Sequence, residues 1–317
     1  MVGTKMASPI PVVVFSEECM KPGTTSWEKA SKVIVQAFED HGGFIVDHPN
    51  APLDLHDSVF SVTEDLFDLS HETKIKNTNL KPSHGYIGKV PGTPLLEGMN
   101  IDGAEKLEEC EKFTSLMWPS GNDHFCKTVH DYAKFMVEIE KVVFRMLCES
   151  YGVEKCYDPY IESCTYLLRF LKYKKPADNI SANSVAHTDK SFLSYLHQNN
   201  IKGLEVRTKD GEWFTLEPSA STFMVMAGDA CVAWSNGRIK PCYHRVAVRE
   251  ESQVRYSLGI FSYVLGMIET PEEFIDEAHP QQYKPFNHID FLCYYDSSND
   301  PIKAQSLIKS YCGVRAN

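Results

Sequence analysis

Three residues, His187, Asp189 and His244, have the types and spacing of a metal site. His187-Thr188-Asp189 sets an imidazole and a carboxylate two positions apart, and His244 follows fifty-five positions after Asp189. In an extended strand, residues i and i+2 face the same side. His187 and Asp189 can therefore project together into a barrel, with His244 on a strand beside them. Two imidazoles and one carboxylate on one face of an octahedral metal suit non-haem iron(II). Three protein ligands leave three positions open, enough for a bidentate oxo acid and O2. Alone the motif is weak. The chain has twelve histidines, and a single strand histidine is more often a packed or surface residue than a ligand.

A second cluster begins eleven residues after His244, at Arg255-Tyr256-Ser257. Arg255 and Ser257 share one strand face by the same period of two. An arginine inside an apolar barrel needs an anion, because unpaired buried charge is costly. Its guanidinium matches a carboxylate in bidentate geometry, and Ser257 can add a hydroxyl donor. The competing reading is a structural arginine paired with an internal Asp or Glu.

Positioning these groups calls for a barrel. Short apolar runs separated by turn signals follow residue 160: 165–173, 191–196, 203–207, 213–216, 222–227, 231–234, 244–248 and 257–264. Strands at this spacing predict a barrel or a double-sheet jelly roll. Before them, 9–15 and 44–46 read as strands, and 27–40, 58–69 and 125–151 read as amphipathic helices. The Gly- and Pro-rich stretch 83–103 reads as a long irregular loop. The tail reads as mixed turns with a terminal helix near 301–310. The predicted architecture is mainly β with α. Residues 1–160 form a helical region packed on the outside of a jelly-roll core over 161–317, the two making one catalytic unit.

Composition narrows the partners. The net charge is −11, which disfavours nucleic acid, whose phosphates are bound mainly by Lys and Arg. None of the ten cysteines forms a C-x-x-C pair, so neither a zinc knuckle nor a thioredoxin-like site is indicated. No run of about 18 apolar residues is present to cross a membrane, and the N-terminus does not read as a signal peptide. The expectation is a monomeric cytoplasmic protein with reduced thiols.

The motifs taken together resemble the plant 2-oxoglutarate/Fe(II)-dependent dioxygenases. The resemblance rests on His187-Thr188-Asp189, Lys202-Gly203-Leu204-Glu205-Val206, Gly228-Asp229, Trp234-Ser235-Asn236-Gly237-Arg238, His244-Arg245-Val246 and Arg255-Tyr256-Ser257. It extends to Gly42-Gly43-Phe44 and Glu72-Thr73-Lys74, and so over nearly the whole chain. Within the family it points to the specialised-metabolism branch, with its glucosinolate side-chain and auxin-oxidising dioxygenases and deoxypodophyllotoxin synthase. The runs 21–27 and 113–119 carry that finer likeness.

The resemblance implies a double-stranded β-helix and a set of roles. His187, Asp189 and His244 bind Fe(II). Arg255 and Ser257 hold the distal carboxylate of 2-oxoglutarate, and Tyr173 contacts it. Many members carry Asn where Leu171 stands here. A carboxylate at 189 argues for oxygenation, since halogenases usually have a small residue there. O2 is the oxidant, ascorbate a stimulant, and succinate and CO2 the coproducts. The product is hydroxylated, desaturated, cyclised or dealkylated.

Small-molecule sites are mostly apolar, and the candidate substrate contacts are Tyr86, Met99, Leu116, Trp118, Phe192, Phe261, Phe291, Tyr294 and Tyr295. Two rival readings stay open. A basic residue in the pocket would favour a hormone-inactivating oxidase of auxin type, and sequence assigns none. A non-catalytic cupin-like binding protein would show a broken ligand set, which this chain does not.

Overall fold

The computed structural model describes residues 8–90, 93–174, 184–248, 253–297 and 307–314. Strand β1 (Val12–Val14) leads to helix α1 (Thr25–His41). The Thr24 hydroxyl accepts a hydrogen bond from the Trp27 amide, which satisfies a donor that a helix start leaves open. Ala30, Ile34, Ala37 and Phe38 bury one face of α1. It ends at Gly42, whose φ of 72° is left-handed. A Cβ at Gly42 would stand 2.6 Å from backbone atoms of Lys240, Pro241 and Cys242, so a close approach and a left-handed turn both require glycine there.

After β2 (Gly43–Asp47) come α2 (Leu53–Asp68), α3 (His71–Lys74), β3 (Ile87–Val90), β4 (Thr93–Asp102) and α4 (Leu107–Met117). Helix α5 (Asp123–Tyr151) is about 44 Å long at 1.5 Å per residue. Asn122 caps its start and Gly152 its end. Its buried stripe includes Val129, Tyr132, Met136, Ile139 and Val143, and it packs against α1, α2 and α4.

Helix α6 (Tyr157–Ser163) runs into β5 (Cys164–Tyr173). Then follow β6 (Leu193–Gln198), β7 (Leu204–Arg207), β8 (Trp213–Thr215), β9 (Thr222–Ala227), α7 (Asp229–Trp234), β10 (His244–Val246) and β11 (Arg255–Val264). The hairpin β12 (Met267–Ile268) and β13 (Phe286–Asn287) precedes α8 (His288–Ser297) and α9 (Leu307–Cys312).

Eight strands form one sheet in the order β1-β2-β9-β6-β11-β5-β4-β3, and β10-β7-β8 form a second. Together they make the double-stranded β-helix. Every residue of β11 is buried, because the strand has the helices on one face and the barrel interior on the other. Tyr256, Leu258 and Ile260 join the core shared with the helices. Arg255, Ser257, Gly259, Phe261 and Tyr263 alternate with them and face inward. Among the described residues no helix is long and apolar enough to cross a membrane.

Three expectations need correction. The Gly/Pro-rich stretch 83–103 is largely strand. β4 pairs with β5 from Leu96↔Tyr173 to Asp102↔Leu167, and this ladder overrides weak local propensity. The run 231–234 is part of a helix, α7, whose residues are all buried; a run apolar on every side carries no period to separate helix from strand. Strands β1 to β4 also join the major sheet, so the N-terminal half supplies part of the β framework as well as helices. Residues 301–306 of the expected terminal helix lie outside the described residues, and α9 covers 307–312.

Candidate active site

His187 is held by an isolated antiparallel bridge rather than by a strand. Its amide and carbonyl exchange hydrogen bonds with His244 of β10, each 3.0 Å. Residues paired in this way present their side chains on the same face; the two imidazole rings lie 4.4 Å apart. The His187 Nδ1–H donates to the Val185 carbonyl at 2.8 Å, and the His244 Nδ1–H to the Cys242 carbonyl at 3.2 Å. Each carbonyl can only accept, so each Nε2 keeps its lone pair for a metal.

Asp189 completes the cluster. Its Oδ1 is 3.8 Å from the Nε2 of both histidines, too far for hydrogen bonds, and its buried Oδ2 has no hydrogen-bond partner. The three ligand atoms lie within 4.8 Å of one another. Burial and the adjacent His244 push His187 down to about 4. Burial works to raise the Asp189 carboxyl, but the two imidazoles outweigh it and hold it below its ordinary value. Nitrogen lone pairs and an anionic oxygen converging without mutual hydrogen bonds fit a divalent cation.

The loop carrying Asp189 is pinned from beneath. The Asp229 amide donates to the Asp189 carbonyl at 2.8 Å. Lys190, buried, donates to Asp229 Oδ2 at 2.7 Å and to the Thr188 carbonyl and hydroxyl. A Cβ at Gly228 would lie 2.0 Å from the Ser191 carbonyl oxygen, so only glycine lets α7 start this close to the loop.

Arg255 is 1% exposed and points into the barrel. Its Nη2 donates to Gln198 Oε1 at 2.8 Å and its Nη1 to the Ser257 hydroxyl at 3.3 Å. The guanidinium lies over the Tyr173 ring, 4.9 Å from its centroid, and Nε is buried without a partner. Among the described residues no carboxylate pairs with it, and burial lowers its pKa. Such a cation asks for an anionic guest. Ser257 faces Leu171 across the ladder. Leu171 packs with Leu95, Leu96, Val246 and Val248, giving this cradle an apolar wall.

A cavity of about 190 Å³ opens beside the cluster. Of the expected substrate contacts, Phe261 and Tyr295 line it. The others lie elsewhere. Met99, Phe192 and Phe291 are core residues at 0–1% exposure. Trp118 packs on Phe125 and Tyr294 on Tyr311, while Leu116 is exposed. Tyr86 donates to Glu97 at 2.9 Å and lines a different hollow.

Several contributors went unread in the sequence. Arg169 and Tyr263 line the cavity with Leu292. His288, Leu292 and Tyr295 recur at helical spacing on one face of α8, and His288 Nε2 accompanies the Lys190 carbonyl at 2.8 Å. Gln198 and Gly203 support Arg255. Arg169 and Gln198 had a signal: each is a polar residue in an apolar strand, and Arg169 keeps the period of two with Tyr173.

The sequence pattern of the 2OG-Fe(II) oxygenase superfamily matches residues 162–262, and that of the non-haem dioxygenase in morphine synthesis N-terminal region matches 10–116. A probable 2-oxoglutarate-dependent dioxygenase of Arabidopsis thaliana is 37% identical over 311 residues, covering 95% of each chain. The rice dioxygenase for auxin oxidation superposes with a TM-score of 0.80 at 24% identity, over 96% of this chain and 100% of its own, a likeness of fold. The Arabidopsis dioxygenase for auxin oxidation 1, in its 2-oxoglutarate complex, gives 0.76 at 26% identity, over 86% and 99%.

Proposed function

The chain belongs to the 2OG-Fe(II) oxygenase superfamily, and on that premise we propose that it oxidises a small hydrophobic or aromatic plant specialised metabolite at the His187–Asp189–His244 cluster. It is an oxidoreductase that uses Fe(II), 2-oxoglutarate and O2. The observation that carries the site assignment is the pairing of an open three-ligand cluster with a buried Arg255 that has no carboxylate partner among the described residues, in one barrel.

His187 and His244 supply Nε2 donors and Asp189 the anionic ligand. Iron(II) bound there supplies O2 activation coupled to the decarboxylation of 2-oxoglutarate to succinate and CO2. Arg255 and Ser257 hold the distal carboxylate of the oxo acid, with Tyr173 beneath the guanidinium. Phe261, Tyr263, Leu292 and Tyr295 orient the substrate and exclude water. Residues 1–160 and 161–317 act as one catalytic unit, a reading supported by the sheet they share. The enzyme acts as a cytoplasmic monomer on a free small molecule, away from nucleic acid and membrane.

The second reading, an oxidase that inactivates an auxin-like acid, requires a cation in the cavity, and Arg169 meets that requirement. Succinate formation tests the shared core of both. It is expected to need added Fe(II) and O2 and to stop on chelation. The same rate in chelated, iron-free protein would sink the reading.

The cradle makes a separate prediction. A Cβ at Gly203 would stand 2.6 Å from Arg255 Nε and 2.7 Å from its Cδ. Gly203→Ala therefore displaces the guanidinium. The concentration of 2-oxoglutarate for half-maximal rate is expected to rise about tenfold, the weight of one weakened charge-assisted bond. An unchanged value would place the oxo acid elsewhere.

A further inference from the structure

The cavity beside the metal cluster is lined by a guanidinium other than that of Arg255. Arg169 lies on β5, on the strand face shared by Leu171 and Tyr173. Cross-strand pairs along that face run Arg255–Tyr173, Ser257–Leu171, Gly259–Arg169 and Phe261–Leu167. Arg169 thus stands four residues, about 13 Å, along the strand from Tyr173, and lines the cavity together with His187 and Asp189. Gly259 matters here. The Phe261 ring folds back to within 2.5 Å of where a Gly259 Cβ would be, and the Arg169 guanidinium lies over that ring, 5.0 Å from its centroid.

The two cations of this cavity differ in how they are satisfied. Lys190 is neutralised by Asp229 at 2.7 Å. Arg169 bonds only neutral oxygens among the described residues: Nε donates to Asn100 Oδ1 and Nη2 to the Ser83 carbonyl, both at 2.8 Å. Of the acids near it, Asp189 belongs to the metal cluster, and Asp102 is paired with Lys81 at 2.8 Å. A charged fork with no anion of its own among the described residues, beside the reacting centre, suits a planar anionic group. Pro82, Phe261, Tyr263, Leu292 and Tyr295 supply apolar or aromatic wall, and Ser83 and Thr188 complete the lining. The chain as a whole carries −11 and repels acids at long range, so an acid would owe its affinity to this local cation.

We propose that Arg169 is a specificity-determining residue that receives a carboxylate of the substrate, so that the enzyme takes small carboxylic acids with an apolar or aromatic body. The proposal rests on the oxygenase reading above. A cavity of about 150 Å³ accommodates benzene; at about 190 Å³ this one fits a body of one or two rings.

The alternative is that Arg169 only ties β5 to Asn100 and Ser83. Calorimetric titration separates the two, using oxygen-free protein loaded with Fe(II) and saturated with 2-oxoglutarate, so that Arg255 is occupied. The probes are phenylacetate and 1-naphthylacetate, each beside its methyl ester. Wild-type protein is expected to bind at least one acid about tenfold or more tighter than its ester. Arg169→Gln should weaken that acid about tenfold to a hundredfold and leave the ester unchanged, and Arg169→Lys should recover part of the loss. An intact iron–2-oxoglutarate absorption band in both variants shows that the metal site is still built. Acid and ester bound alike by wild type, or lost together in Arg169→Gln with the band intact, overturns the proposal and leaves the oxygenase reading standing. A wild-type protein that forms no such band removes the oxygenase reading, and this inference with it.

Discussion

Asp189→Ala is expected to reduce Fe(II)-dependent succinate formation by more than about a hundredfold. Losing a hydrogen-bonding group behind a metal ligand already costs 10–100-fold in affinity or activity, and here the ligand itself is lost. Asp189 is the only anion of the three ligands, and it offers an Oδ2 that nothing in the described protein satisfies. The surroundings should survive the change. The loop is anchored through the Asp189 backbone to Asp229 and through Lys190 to Thr188, and neither contact uses the Asp189 side chain. Metal content after dialysis, measured beside turnover, checks the cause. Full iron occupancy with normal succinate output would remove Asp189 from the ligand set.

Arg255→Met separates a binding arginine from a structural one. In the first case the cosubstrate loses its charge-assisted fork, worth ~1.5–3 kcal/mol, and its requirement rises about 10- to 100-fold. The cosubstrate-free protein should keep its melting temperature, because the variant removes a buried cation that has no counter-charge among the described residues. Wild type should gain stability from 2-oxoglutarate in the presence of metal, and the variant should gain little. A structural arginine would give the reverse pattern: a lower melting temperature without ligand and an unchanged requirement for the oxo acid. Thermal melts with and without 2-oxoglutarate distinguish the two directly.

How much of this was legible in the sequence depends on the range of the interactions involved. Arg255-Tyr256-Ser257 could be read because it obeys a local period of two, and it does lie on one fully buried strand; His187 and Asp189 do converge, but from an isolated bridge and the loop after it rather than from one strand face. Helix α5 could be read from its apolar stripe, and in the structure Asn122 and Gly152 cap it. The β3–β4 hairpin could not, since β4 owes its form to a ladder with β5, about seventy residues away. Helix α4 was missed although Cys110, Phe113, Thr114 and Met117 keep helical spacing, because charged residues interrupt the short run. Aromatic type alone also proved a poor guide to the cavity: Phe192 packs on Phe144, Tyr160 and Trp234 in the core. Arg169 was overlooked for the opposite reason. Its partners, Asn100 and Ser83, come from a stretch that reads as loop, and only the folded sheet brings them around it.

The central claim is that His187, Asp189 and His244 hold iron beside an oxo acid anchored by Arg255. Anaerobic difference spectroscopy of the purified protein with Fe(II) and 2-oxoglutarate tests it most directly. The account predicts a weak visible charge-transfer band that disappears in Asp189→Ala and, at wild-type saturating 2-oxoglutarate, is diminished in Arg255→Met. No band in wild-type protein, or a band indifferent to both substitutions, would contradict it.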